Sequence, residues 1–177
     1  MTDHAVHYTS ARTATGRDNW CTPKALFDKL DAEFGFVVDA AADADSALCP
    51  MWYGPGSTYI TDATATEWLP RPTFCNPPYS LLREFLAHGA DACSIAPFVF
   101  LIPARTDTRA WHESVMARAS EVRLIKGRIY FGWSKAGAPF PSAIVVFRGF
   151  DGRLGPPRFS SLVLTPEERG VAKRRET

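Results

Sequence analysis

The chain has 177 residues, the length of one domain, with 46% hydrophobic and 22% charged side chains, so a second full domain and global disorder are both excluded. The formal charge is +1, yet residues 1–103 carry a net −6 and residues 104–177 a net +7. A near-neutral total therefore conceals a split of the kind that accompanies nucleic-acid contact. Cys21, Cys49, Cys75 and Cys93 are too widely spaced for a zinc or redox pair and read as reduced thiols. No apolar run approaches the ~18 residues of a membrane span, and the polar N-terminus lacks the basic-then-apolar order of a signal peptide. The expectation is a soluble intracellular protein with a flexible N-terminal segment over 1–18, a folded domain over 19–164 and a flexible basic tail over 165–177.

In chain order, Thr22-Pro23 predicts a helix start, with Thr22 as N-cap and Pro23 at the first helical position. Leu26, Phe27, Leu30 and Phe34 follow at helical spacing, and Gly35 stops the helix. Phe36-Val37-Val38-Asp39 is a short apolar run closed by an acid, the pattern of a buried parallel strand whose carboxyl end faces a ligand. A weaker strand is predicted over 57–60 and another over 72–75, the latter stopped by Asn76-Pro77-Pro78. Ser80 opens a helix carrying Leu81, Leu82, Phe85, Leu86 and Ala90. Residues 97–102 are apolar on both faces, which predicts a central strand, and a helix is predicted over 107–119 with Trp111, Val115 and Ala119 on one face. Two further strands are predicted over 121–125 and 142–147. Alternating strands and helices define an α/β fold with a mainly parallel sheet, whose ligands sit where strands end. Those positions hold Asp39, Asn76-Pro77-Pro78-Tyr79 and Pro103-Ala104-Arg105.

Asn76-Pro77-Pro78-Tyr79 has a specific chemical use. The lone pair of an exocyclic amine on a nucleobase is delocalised into the ring, so the amine is a weak nucleophile until that lone pair is localised. The Asn76 side-chain oxygen and the following proline's carbonyl can accept hydrogen bonds from the NH₂ and drive the nitrogen towards tetrahedral geometry. Two prolines stiffen the turn, and the Tyr79 ring offers a stacking face for a base extruded from a duplex. The competing reading is a plain turn, since Asn and Pro are both turn formers.

With its flanking blocks, this motif resembles the phage-type DNA N6-adenine methyltransferase family. The blocks are Trp20-Cys21-Thr22-Pro23, Phe36 to Asp43, Cys49-Pro50, Thr73 to Ser80, Leu101 to Thr108 and Ala138 to Ser142, and they run through most of the chain. The resemblance implies a shortened Rossmann-like methyltransferase fold with a seven-stranded, mainly parallel sheet and helices on both faces. It implies S-adenosylmethionine as cofactor, adenine N6 in DNA as acceptor reached by base flipping, no metal, and a cytoplasmic setting in a bacterial host, with a phage or prophage origin. The implied catalytic residues are Asn76, Pro77, Pro78 and Tyr79. Trp20, Thr22 and Pro23 would pack over the methionine part of the cofactor, and Asn76 would border it. Asp39 would pair with the cofactor's ammonium. Asp62 is similar to the acid that hydrogen-bonds the cofactor's adenine, the competing reading being a helix or turn cap. The family's Gly-x-Gly turn is replaced here by Ala40-Ala41-Ala42-Asp43, which leaves the cofactor cradle open, and Asp43 and Asp45 are the candidates for the ribose hydroxyls or are solvated loop charges.

The basic half then acquires a role. Arg105, Arg109, Lys126, Arg128 and Lys135 are candidate DNA phosphate ligands. The last three bracket Tyr130-Phe131-Gly132-Trp133, which suits stacking on bases or, alternatively, core packing by Phe131 and Trp133. Other readings retained are cytosine N4 or RNA adenine as acceptor, and a cofactor-binding or DNA-binding module without activity.

Overall fold

The computed structural model describes residues 20–93, 95–132, 136–149 and 155–171. Helix α1 (Lys24–Phe34) buries Leu26, Phe27, Leu30 and Phe34 and ends at Gly35, whose φ of 62° is left-handed and whose N–H donates to the Asp31 carbonyl at 2.8 Å. Its N-cap is Pro23, with no side-chain cap. The Thr22 cap expected from sequence is therefore absent, because the Thr22 hydroxyl is engaged elsewhere.

Strands β1 (Val38–Asp39), β2 (Met51–Trp52) and β3 (Thr73–Cys75) are short. A 3-10 turn (Tyr79–Leu81) leads into α2 (Leu82–Ala92), followed by β4 (Phe98–Pro103). A helical stretch over 109–118 is π-helical at Trp111–Met116, where the sequence suggested regular α spacing. Strands β5 (Glu121–Lys126), β6 (Ser142–Phe147) and β7 (Arg158–Val163) complete one seven-stranded sheet in the order β2-β1-β3-β4-β6-β5-β7. Strand β6 is antiparallel to both neighbours, β4 and β5, and the remaining pairs are parallel.

Period-two alternation along β4 divides the core. Phe98, Phe100 and Ile102 face a cluster with Phe85 and Leu86 of α2 and Trp111 and Val115 of the π-helical stretch. Val99 and Leu101 face a second cluster with the buried residues of α1. Helices thus cover both faces, which is why β4 and β6 are buried along their whole length. This is the Rossmann-like arrangement expected. Arg123 of β5 locks α1 in place, donating to Glu33 at 2.6 Å and to Glu121 at 2.8 Å with its guanidinium over the Phe34 ring.

Three features differ from the sequence reading. The segment 57–60 is not a strand beyond one bridge from Ile60 to Tyr53, because the Ser57 hydroxyl accepts from the amides of Tyr59 and Ile60 and folds the segment into a turn. Strands β2 and β7 were not expected. Beyond Leu164 the described chain stays attached to the domain as far as Val171: Tyr130 N donates to Arg169 O at 2.7 Å, and Lys29 pairs with Glu168 at 2.9 Å. The domain boundary at 164 therefore falls inside packed structure.

Candidate active site

Strands β1, β3, β4 and β5 all end at one edge of the sheet, and the reversed β6 begins there. Strand β2 lies on one side of β1 and β3 on the other, so the strand order reverses between β1 and β3. Open α/β sheets bind ligands in the crevice outside such a reversal. Asp39 closes β1 and Asn76 directly follows β3, which brings the two residues singled out in the sequence to the same crevice.

Asn76 is held by its amide nitrogen, which donates to the Trp20 carbonyl and, at 3.1 Å, to the Thr22 hydroxyl. Its Oδ1 is buried and has no hydrogen-bond partner among the described residues. Most buried acceptors are satisfied, so a lone one at a strand end is a strong sign of an external donor. The segment carrying Trp20 and Thr22 is itself fixed, since Gly132 N donates to Cys21 O at 2.9 Å. Pro23 packs against Gly170, where an added Cβ would fall 2.9 Å from its Cγ. Trp20 and Thr22 thus orient the Asn76 side-chain amide, a contact the sequence reading did not include.

Pro77 and Pro78 are buried. The Pro78 carbonyl accepts from Leu81 N at 3.0 Å inside the 3-10 turn. The Tyr79 ring stacks on Trp20 with centroids 6.0 Å apart and meets Phe140 edge-on at 5.3 Å. Phe140 also meets Trp20 edge-on at 5.3 Å, so three aromatic rings surround the turn. Phe140 was quoted in the sequence only within a block; its ring contacts give it a place at the site.

Asp39 is 4% exposed, and burial pushes its carboxyl up to about 6. Its oxygens accept from Leu48 N at 3.1 Å and Ala41 N at 3.4 Å, and no ion pair reaches it among the described residues. A buried carboxylate with lone pairs to spare, at a switch point, fits a ligand rich in N–H or O–H donors. The alanine turn forms no amide cradle: Ala40 N donates to Phe74 O, Ala41 N to Asp39 and Ala42 N to Tyr53 O. Asp62 takes the turn-cap arrangement, its Oδ1 accepting from the Thr64 amide at 2.9 Å and hydroxyl at 2.7 Å. Asp43 likewise organises its own loop through Asp45 N and Ser46.

Of the basic candidates, Arg105, Lys126 and Arg128 are exposed beside the carboxyl ends of β4 and β5, the edge that carries Asn76. Arg109 is exposed but donates twice to Glu113 Oε1, at 3.1 and 2.9 Å, while Arg83 binds the other oxygen of the same carboxylate. Lys135 and Trp133 lie outside the described residues. Phe131 is 2% exposed within the α1 cluster and edge-on to Trp20, so its use as a base wedge is overturned in favour of core packing. Among the described residues no group of His, Cys, Asp and Glu could hold a metal ion, and no helix is long and apolar enough to cross a membrane.

A rigidly held amide with its oxygen free, beside a crevice of the nucleotide-binding type, suits activation of an exocyclic amine. That is the arrangement an amino-group methyltransferase needs. More narrowly, the sequence matches the family described as DNA N-6-adenine-methyltransferase (Dam) over residues 9–155, most of its length, and the chain belongs to that family. No curated protein matches it. Among solved structures it is similar to a Listeria monocytogenes protein described as a class I S-adenosylmethionine-dependent methyltransferase. The identity is 10% and the TM-score 0.40, over 63% of this chain and 43% of that one. The chain thus spans less than half the length of that neighbour.

Proposed function

We propose that this protein methylates N6 of adenine in DNA, with Asn76 Oδ1 and the Pro77 carbonyl accepting the two hydrogens of the amine. The observation that carries this reading is the buried Asn76 oxygen without a partner, on an amide whose nitrogen is already tied to Trp20 and Thr22. Two fixed acceptors localise the nitrogen lone pair and stabilise the positive charge that develops on N6 as the new bond forms. They strengthen as the reaction proceeds, because the amine becomes more acidic, so they favour the transition state over bound substrate. After transfer the surplus proton passes from the cationic N6 to solvent water, and no strong base is needed. S-adenosylmethionine, when bound, supplies the methyl group as a sulfonium. Asp39, at the switch point, accepts hydrogen bonds from the cofactor.

Tyr79 and Phe140 supply the aromatic surface for an adenine turned out of the duplex, and Arg105, Lys126 and Arg128 the phosphate contacts around it. The test is incubation of duplex DNA with labelled cofactor and mass spectrometry of the resulting nucleosides. Label in N6-methyladenine is expected, with turnover reduced by about a hundredfold or more in Asn76→Ala, the usual scale for deleting one fixed electrostatic partner of a transition state. Label confined to N4-methylcytosine, or an Asn76→Ala variant as active as wild type, refutes the assignment.

A further inference from the structure

Strand β7 forms one edge of the sheet and lies beyond residue 155, where the match to the family ends. Its inner side is bonded: Arg158 N donates to Ser120 O at 3.0 Å, and the strand runs parallel to β5 as far as Val163. Backbone groups of successive strand residues point to alternate sides. Arg158, Ser160 and Leu162 therefore turn their N–H and C=O groups to β5, whereas Phe159, Ser161 and Val163 turn theirs outward, where no described strand pairs with them. This outward run is bounded at both ends. Pro157 has no N–H, and Thr165 N already donates to Glu168 at 2.8 Å while the Thr165 carbonyl accepts from Arg169 N at 3.0 Å. The free run is thus centred on Ser161.

An open strand edge is a template for another strand, and proteins blunt such edges with short strands, Lys or Pro. The opposite edge, β2, is two residues long, but β7 has six residues with neither Lys nor Pro among them. Phe159 is in register with Val122 of the α2 cluster, so Phe159, Ser161 and Val163 share that face, with Phe159 50% and Val163 66% exposed. We propose that β7 is the contact of a homodimer, pairing antiparallel with β7 of a second copy about a two-fold axis at Ser161. This register satisfies the whole outward run: Phe159 faces the partner's Val163, Ser161 faces the partner's Ser161, and each pair exchanges both of its N–H···O bonds. It also sets an aromatic ring against a β-branched side chain on either side of the axis, a favourable cross-strand pair. Charge selects the same direction. The strand begins at Arg158 and leads out to the exposed Glu167, so antiparallel copies bring unlike ends together and parallel copies would bring like ends together. One strand edge falls at the small end of protein interfaces, below ~1,200 Å² in total, so the dimer is reversible with a dissociation constant on the micromolar scale. Since β7 runs with β5 towards the edge that carries Asn76, the partner's crevice opens on the other side of the joint sheet, and pairing leaves both sites uncovered. The dimer does not depend on the methyltransferase reading.

The experiment is sedimentation velocity on the full chain over about 1–300 µM, the range of a weak interface, with wild type, Ser161→Lys, Ser161→Glu and an equimolar mixture of the two variants. Wild type should pass from monomer to dimer. Each variant alone sets like charges opposite each other at the axis and should dissociate about fivefold more readily. The mixture should recover wild-type affinity, because unlike charges then meet wherever residue 161 faces itself, and turnover per chain should be the same in all. A wild type that stays monomeric, variants that dimerise as well as wild type, or a mixture as weak as its components overturns the proposal. Should the variants fail to fold, hydrogen exchange on wild type decides: the amides of Phe159, Ser161 and Val163 should gain protection as concentration rises. Exchange indifferent to concentration refutes the dimer, and full protection in dilute monomer assigns the edge to another segment of the same chain instead.

Discussion

The buried carboxylate of Asp39 makes a prediction that needs no ligand. Burial raises its pKa from 3.8 to about 6, and the group is 4% exposed, so little solvent screening reduces the effect. Between those two values the folded chain retains a proton that the unfolded chain has released, so stability falls as pH rises through the window and stays lower above it. A rise of about two units, at about 1.4 kcal/mol each, corresponds to about 3 kcal/mol at neutral pH. Asp39→Asn is neutral throughout and keeps an oxygen to accept from Leu48 N. Urea unfolding of both proteins at about pH 4 and about pH 7 isolates this group, because other titrations cancel in the difference. Wild type should lose about 2 kcal/mol relative to the variant over that range, because the unfolded carboxyl is already more than half ionised at about pH 4. A difference that stays flat, or a wild type that gains on the variant as pH rises, refutes the reasoning. The same variant should bind S-adenosylhomocysteine less well, since the ionised oxygens are the stronger acceptors.

Other expectations follow from single contacts. Thr22→Val removes one of the two acceptors for the Asn76 amide nitrogen, and kcat should fall by about fivefold to tenfold with KM little changed; single-turnover kinetics would show an unaltered rate if the hydroxyl is idle. Gly89→Ala places a methyl 2.4 Å from Phe100 Cζ, inside a core ring rather than a flexible chain end, and should reduce stability by about 1–3 kcal/mol in denaturant unfolding. Arg105→Ala and Arg128→Ala should weaken DNA binding alike across sequences and lower the slope of log affinity against log salt by about 0.9 each. Arg109→Ala should change it less, because Glu113 already holds that guanidinium. Binding of S-adenosylhomocysteine should barely respond to salt, and a steep response there would contradict the division of charge between the halves.

Much of the frame was legible from burial patterns. Strands β4 and β6 show as apolar runs because both of their faces are covered, and α1 shows by its spacing and its terminal glycine. Strand β7 gave no such signal: its sequence Arg158-Phe159-Ser160-Ser161-Leu162-Val163 lies at the sheet edge and is mostly exposed, so it owes its place to backbone pairing with β5. Strand β2 is two residues long, too short for any periodicity. The Asn-Pro-Pro-Tyr turn was readable because its chemistry is local. Thr22 was named as a cap and, through the resemblance, as a neighbour of the cofactor, but its hydrogen bond to Asn76 was not readable, since it joins residues 54 positions apart across the fold.

The reversed strand β6 has a bearing on how recognition can change. A parallel strand there would require the chain to cross to the far side of the sheet before returning. Here the connection over 127–141 leaves and rejoins the sheet at the edge where Asn76 lies, and Ala138 N closes it by donating to Ile129 O at 2.8 Å. Between those two anchors Phe131 packs in the α1 cluster edge-on to Trp20, and Gly132 N holds the Cys21 carbonyl. A change at either position therefore reaches the Asn76 amide through Trp20 and Thr22, so that the basic connection and the turn after β3 are mechanically joined within one small fold.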